Sequence, residues 1–329
     1  MTLLEARDLV VEFPRPGGGT VRPVDGIALS VGRGETLALV GESGCGKSLT
    51  ALALLGLVPP PGRIVGGRVR IGGTDLLALP EGERRALRGR RLGYVPQEGQ
   101  ALDPVLPIGT QLAEALGTHL GLRGADARAR ASALLGEVGL PDPDAMLAYH
   151  PHELSGGMRQ RVLIALGLAG EPEALVADEP TTALDVTIQA QVLELLDGLR
   201  AARGMALLLV THDLGVVAGH ADRVAVMYAG RIVEEAPVSG LFANPAHPYT
   251  RALLAAVPRL DGPPEPPAPI PGAVPDPAAW PPGCRFHPRC PDAIARCPTD
   301  PPSLEPLPGP GGAAQPARRA ACWVAGGER

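Results

Sequence analysis

The sequence predicts an α/β fold: a mainly parallel, buried sheet with an antiparallel edge sheet and a helical insertion, followed by a small, irregular, Cys- and Pro-rich C-terminal extension. Three observations carry this. Short apolar runs alternate with helical stretches. One long helical stretch separates two of those runs. Composition changes sharply near Pro258, where a proline-dense segment begins that holds four of the five cysteines.

The runs Thr36 to Val40, Leu92 to Val95, Ala174 to Ala177, Ala206 to Val210 and Val224 to Tyr228 are bounded by turn or polar residues. Several lack polar alternation, as strands covered on both faces do. Leu3 to Phe13 and Gly67 to Ile71 alternate more and suit the antiparallel edge sheet. Helical character covers Ser48 to Leu57, Gln111 to Leu116, Asp126 to Val138 and Ile188 to Arg203. The expected organisation is a domain over 1–258, with its helical subdomain at about 98–168, and an extension over 259–329.

At 329 residues the chain is long enough to bury a sizeable core. Its net charge of −5 argues against binding nucleic acid through a basic face. No apolar run is long enough to span a membrane, and Met1 to Arg7 lacks signal-peptide features, so a cytoplasmic location is expected. In that reducing setting the five cysteines are not expected to form disulfides, and clustered thiols suggest a metal or redox site. Of the 30 basic residues, the only lysine is Lys47. A lysine kept under such an arginine bias points to a place that requires a compact ammonium.

Gly41-Glu42-Ser43-Gly44-Cys45-Gly46-Lys47-Ser48 matches the phosphate-loop pattern G-x-x-x-x-G-K-[ST] and lies between a buried strand and a helix. Glycines let backbone N–H groups turn inward around an anion, and the helix N-terminus adds its positive dipole end. Gly41, Ser43, Gly44, Cys45, Gly46, Lys47, Ser48 and Leu49 are therefore candidate contacts to ATP. Lys47 is placed on the β- and γ-phosphates and Ser48 on Mg²⁺. Cys45 has two readings: a small buried residue, or a thiol of lowered pKa that alkylation would reach and ATP would protect.

The strand Leu175-Val176-Ala177 ends in Asp178-Glu179. Asp178 fits an acid supporting Mg²⁺, and Glu179 fits the general base that polarises an attacking water. In Leu154-Ser155-Gly156-Gly157-Met158-Arg159-Gln160, Ser155 is placed to cap a helix whose free N–H groups face an anion.

Taken together, these stretches resemble the ATPase subunits of ABC transporters, with the Ser155 stretch as the signature motif. Gln97 after Tyr94-Val95-Pro96 resembles the Q-loop glutamine, and Ala183-Leu184-Asp185 resembles the D-loop. His212 resembles the switch histidine, and Phe13 resembles the aromatic that stacks on adenine. The resemblance implies a P-loop NTPase core of the ABC type, spanning Leu3 to Val257. It also implies head-to-tail pairing of two such subunits, so that Ser155, Gly156 and Gly157 contact the γ-phosphate of ATP held by the partner. Gln97 would sense Mg²⁺ and link to a membrane subunit, and His212 would contact the γ-phosphate near the attacking water.

The tail carries Cys284, Cys290, Cys297 and Cys322, spaced C-x₅-C-x₆-C-x₂₄-C. Four thiolates suit an iron–sulfur cluster or zinc, and free thiols are a third reading. With Pro180 to Thr187 and His247-Pro248-Tyr249-Thr250, this tail resembles the dipeptide and oligopeptide importer branch, which implies a [4Fe–4S] cluster. Other implied partners are two transmembrane permease subunits and an extracellular solute-binding protein, with the chain peripheral on the cytoplasmic side. Nickel, opine or sugar import, and a soluble ABC ATPase outside transport, are the rival roles.

Overall fold

In the computed structural model the described residues are 2–97, 101–182, 184–257, 270–308 and 314–327. Among them the strands are β1 (Thr2–Pro14), β2 (Thr20–Gly32), β3 (Thr36–Val40), β4 (Arg63–Ile71), β5 (Thr74–Asp75), β6 (Leu92–Val95), β7 (Ala174–Asp178), β8 (Ala206–Thr211), β9 (Arg223–Tyr228), β10 (Arg231–Pro237), β11 (Glu305–Pro308) and β12 (Ala314–Ala320). The chain divides into two compact units. One comprises Met1–Glu5, Ser30–Thr36 and Arg70–Val210; the other comprises Ala6–Leu29, Leu37–Val69 and Thr211–Arg329.

In the first unit β6, β7 and β8 run parallel, with Val95 opposite Ala177 and Asp178 opposite Val210. Every residue of β7 is buried, which accounts for its unbroken apolar sequence. The expected helical insertion follows β6. Helix Ile108–Leu120 buries Ile108, Leu112 and Leu116, one residue per turn on a single face. Helix Gly124–Glu137 buries Ala127, Ala131, Leu134 and Leu135. Helix Gly156–Leu168 then leads towards β7. The first residues assigned to the insertion, Glu98 to Gln100, lie outside the described residues. Helix Val186–Arg203 is bounded by Asp185, whose side chain accepts from Ile188 N–H, and by Gly204 in the left-handed region.

In the second unit β3 pairs parallel with β9, and β9 pairs antiparallel with β10. β2, β1 and β4 lie in that order in a separate sheet. The tail is less irregular than its composition predicts: β12 adds antiparallel to β10, and β11 to β12. Its Phe286 joins Tyr228 and Tyr249 in the core, with ring centroids 5.2 and 5.4 Å away. The proline run Pro263 to Pro267 lies outside the described residues.

Candidate active site

The phosphate loop belongs to the second unit. It leaves β3 at Gly41 and enters helix Lys47–Leu54. Close backbone approach dictates two of its glycines. A Cβ on Gly41 would stand 2.2 Å from the Met227 carbonyl oxygen, and one on Gly46, at φ 108°, 2.5 Å from that of Pro23. Ser43 and Gly44 are exposed, whereas Ser48 and Leu49 are half-buried. Lys47 is 5% exposed, and its Nζ donates to the Gly41 and Glu42 carbonyls at 2.8 and 3.2 Å.

Cys45 follows the plain reading, not the reactive one. It is 1% exposed, and burial pushes its thiol pKa up, outweighing the pull of Lys47. The expected activation by the helix N-terminus is overturned by desolvation. Phe13, half-exposed near the end of β1, lays its ring against the backbone of Gly62, where a Cβ would stand 2.4 Å from Cζ. His212 is exposed just beyond β8. Its neighbour Asp213 caps helix Leu214–His220, accepting from Gly215 N–H at 2.8 Å.

The acids belong to the first unit, at the end of β7. Asp178 is 2% exposed, and the Tyr94 hydroxyl donates to its Oδ2 at 3.4 Å. Burial, and then Asp178, raise the Tyr94 pKa, so that hydroxyl keeps its proton. Glu179 adopts φ 47°, a left-handed backbone uncommon outside glycine. Its N–H donates to the Val210 carbonyl at 2.9 Å, which holds the turn. The turned carboxylate accepts from Gln97 Nε2 at 3.2 Å and from Thr182 Oγ1 at 2.9 Å. Two residues predicted far apart in sequence, Gln97 and Glu179, thus meet. Thr182 was missed; its only signal was its place three residues beyond Glu179.

Ser155 caps helix Gly156–Leu168, its Oγ accepting from Met158 N–H at 3.3 Å, and it is exposed. Gly157 faces Ile188, whose Cγ2 would stand 2.6 Å from an added Cβ. Of the D-loop, Asp185 caps the next helix, while Ala183 lies outside the described residues.

The four tail cysteines line one narrow cavity together with Phe286, His287 and His247. Burial raises the thiol pKa of Cys284 and Cys322, and pushes that of Cys290 up to about 11. Among the described residues no three His, Cys, Asp or Glu gather closely enough to hold a metal ion. The four side chains share a cavity, but the ligand set expected for a cluster or an ion is not seen among the described residues.

Comparison with known proteins places this arrangement. Residues 24–182 match the family described as ABC transporter, and residues 233–297 match the oligopeptide/dipeptide transporter C-terminal region. The oligopeptide transport ATP-binding protein AppD of Bacillus subtilis is 48% identical over 305 residues, covering 92% of this chain and 93% of that protein. The dipeptide transport ATP-binding protein DppD of Escherichia coli is 46% identical over 308 residues, covering 93% and 94%. Among solved structures, a dimer of the ATP-binding cassette MJ0796 bound to ADP and Pi superposes with TM-score 0.64 at 26% identity, covering 72% of this chain and 99% of that one. The chain belongs to the ABC transporter ATPases. Within that family it carries the C-terminal region of the oligopeptide/dipeptide branch.

Proposed function

We propose that this chain is the ATP-hydrolysing subunit of an importer of dipeptides or oligopeptides. The observation that carries the reading is one continuous chain that joins an ABC ATPase sequence to the oligopeptide/dipeptide C-terminal region, with relatives named for dipeptide and oligopeptide transport. No helix among the described residues is long and apolar enough to cross a membrane. The chain on this reading works peripherally, on the cytoplasmic side, beneath two permease subunits served by an extracellular solute-binding protein.

Lys47 and the loop N–H groups of Gly41, Ser43, Gly44, Cys45 and Gly46 bind the phosphates, with Ser48 and Leu49 opening the helix behind them. Phe13 stacks on adenine. Ser48 would hold Mg²⁺, Gln97 would sense it and Asp178 would support it; when bound, Mg²⁺ would neutralise charge developing on the phosphates. Glu179 takes the proton of the attacking water, and its bonds to Gln97 and Thr182 aim the carboxylate. His212 contacts the γ-phosphate. Ser155, Gly156 and Gly157 serve ATP bound to a second ATPase subunit, and ATP favours that closed pair, which drives the permeases. Residues 1–258 form the nucleotide-binding part and 259–329 the extension.

For the tail we infer a [4Fe–4S] cluster held by Cys284, Cys290, Cys297 and Cys322. That all four thiols line one cavity supports it. Glu179→Gln should lower ATP turnover by at least about a hundredfold while ATP-bound dimers accumulate. Co-reconstituted with its permeases, the native chain should drive uptake of labelled peptides; ATP-independent uptake would refute the transport role. Protein purified without oxygen and found free of iron and sulfide would refute the cluster.

A further inference from the structure

We propose that Arg289, in the tail, is a positioning residue for the phosphate loop: it holds Glu42 and cancels that residue's charge, so that the loop accepts a triphosphate. The inference goes beyond the transport reading and does not depend on what the four thiols carry.

Glu42 is the second residue of the loop, and every polar group on it is engaged. Its N–H donates to the Tyr249 hydroxyl at 2.9 Å. Its carbonyl accepts from Lys47 Nζ at 3.2 Å and from Cys45 N–H at 3.3 Å. Its carboxylate accepts two parallel bonds from Arg289 Nη1 and Nη2, at 2.9 and 3.0 Å. The arginine side chain is 6% exposed and comes from 247 residues along the chain. Its Nε donates to the Pro271 carbonyl at 2.7 Å and its Nη1 to the Tyr228 hydroxyl at 3.3 Å. The guanidinium lies 5.7 Å from the Tyr228 ring centroid and 5.9 Å from that of Phe286.

A carboxylate inside an anion-binding loop opposes the ligand the loop is built for. With the Glu42 side chain 26% exposed, that repulsion is only partly screened by solvent. The forked pairing removes it and fixes the loop's second residue at the same time. Arg289 closes the short helical turn His287–Arg289 between Cys284 and Cys290. The thiol cavity and the nucleotide loop therefore share one rigid contact within the second unit.

The test is steady-state hydrolysis of Mg²⁺-ATP by the full chain. Arg289→Gln should raise KM about tenfold with kcat within about twofold of native, since the arginine acts on loop charge and not on the reaction step. Arg289→Lys keeps the charge without the fork and should raise KM less. Glu42→Gln, which leaves the arginine unopposed beside the phosphates, should lower KM. Adding Glu42→Gln to Arg289→Gln should return KM to within about threefold of native. An unchanged KM in Arg289→Gln, or a double variant as weak as Arg289→Gln alone, would overturn the proposal in favour of simple packing. Should Arg289→Gln fail to fold, Glu42→Gln decides, and a rise in KM there would overturn it.

Discussion

Individual side chains show how far motif reading reaches. The placement of Lys47 at the start of a helix, of Asp178 and Glu179 at the end of β7 and of Ser155 as a helix cap was legible, because each sits in a short pattern. The backbone twist at Glu179 and the hydroxyl of Thr182 were not legible, because both arise only once β7 and β8 pair and turn the chain. Cys45 shows the opposite failure. Its neighbours suggested activation, but its burial in the folded chain outweighs them. Alkylation of Cys45 in the native protein at pH 8 should be at least about tenfold slower than in the unfolded chain and insensitive to ATP; fast labelling that ATP blocks would contradict this.

At the level of elements, the buried strands matched their apolar runs almost residue for residue, since burial on both faces leaves an unambiguous sequence. β10 escaped because Arg231-Ile232-Val233-Glu234-Glu235 does not look like a buried strand. Its two acids are buried but paired. Glu235 bonds Arg223 and Arg319, and Glu234 accepts from Ala246 and His247 N–H at 2.9 and 2.8 Å. The same place explains the His-Pro-Tyr-Thr stretch that sequence comparison could only associate with a branch. His247 Nδ1 accepts from Tyr249 N–H at 3.0 Å and so caps helix Pro248–Ala255. Burial, with Arg251 adding to it, pushes the His247 pKa down to about 3 from 6.5. The imidazole is thus neutral when folded but protonated when unfolded between those values, so stability is full above pH 6.5 and falls with acid. The loss grows by roughly 1 kcal/mol per pH unit below 6.5. Urea unfolding at pH 7.5 and 5.5 should show it, and His247→Asn, which retains a capping oxygen, should lack it.

Across the whole molecule, composition marked the tail as an appendage, yet it supplies both a strand pairing and a core aromatic to its unit. Composition could not reveal this, because β12 joins through backbone bonds that proline-rich sequence does not advertise. Removing residues 259–329 strips Phe286 from beside Tyr228 and Tyr249, a loss comparable with a large core truncation of about 3–5 kcal/mol. The thermal midpoint should drop by about 10 °C, read by calorimetry; an unchanged midpoint would show the tail to be dispensable for folding. A last consequence concerns the single side-chain ammonium of the chain, set in the phosphate loop and almost sealed from solvent. Protein grown on isotopically enriched lysine would give one side-chain resonance, a spectroscopic reporter of nucleotide arrival that no second lysine can obscure.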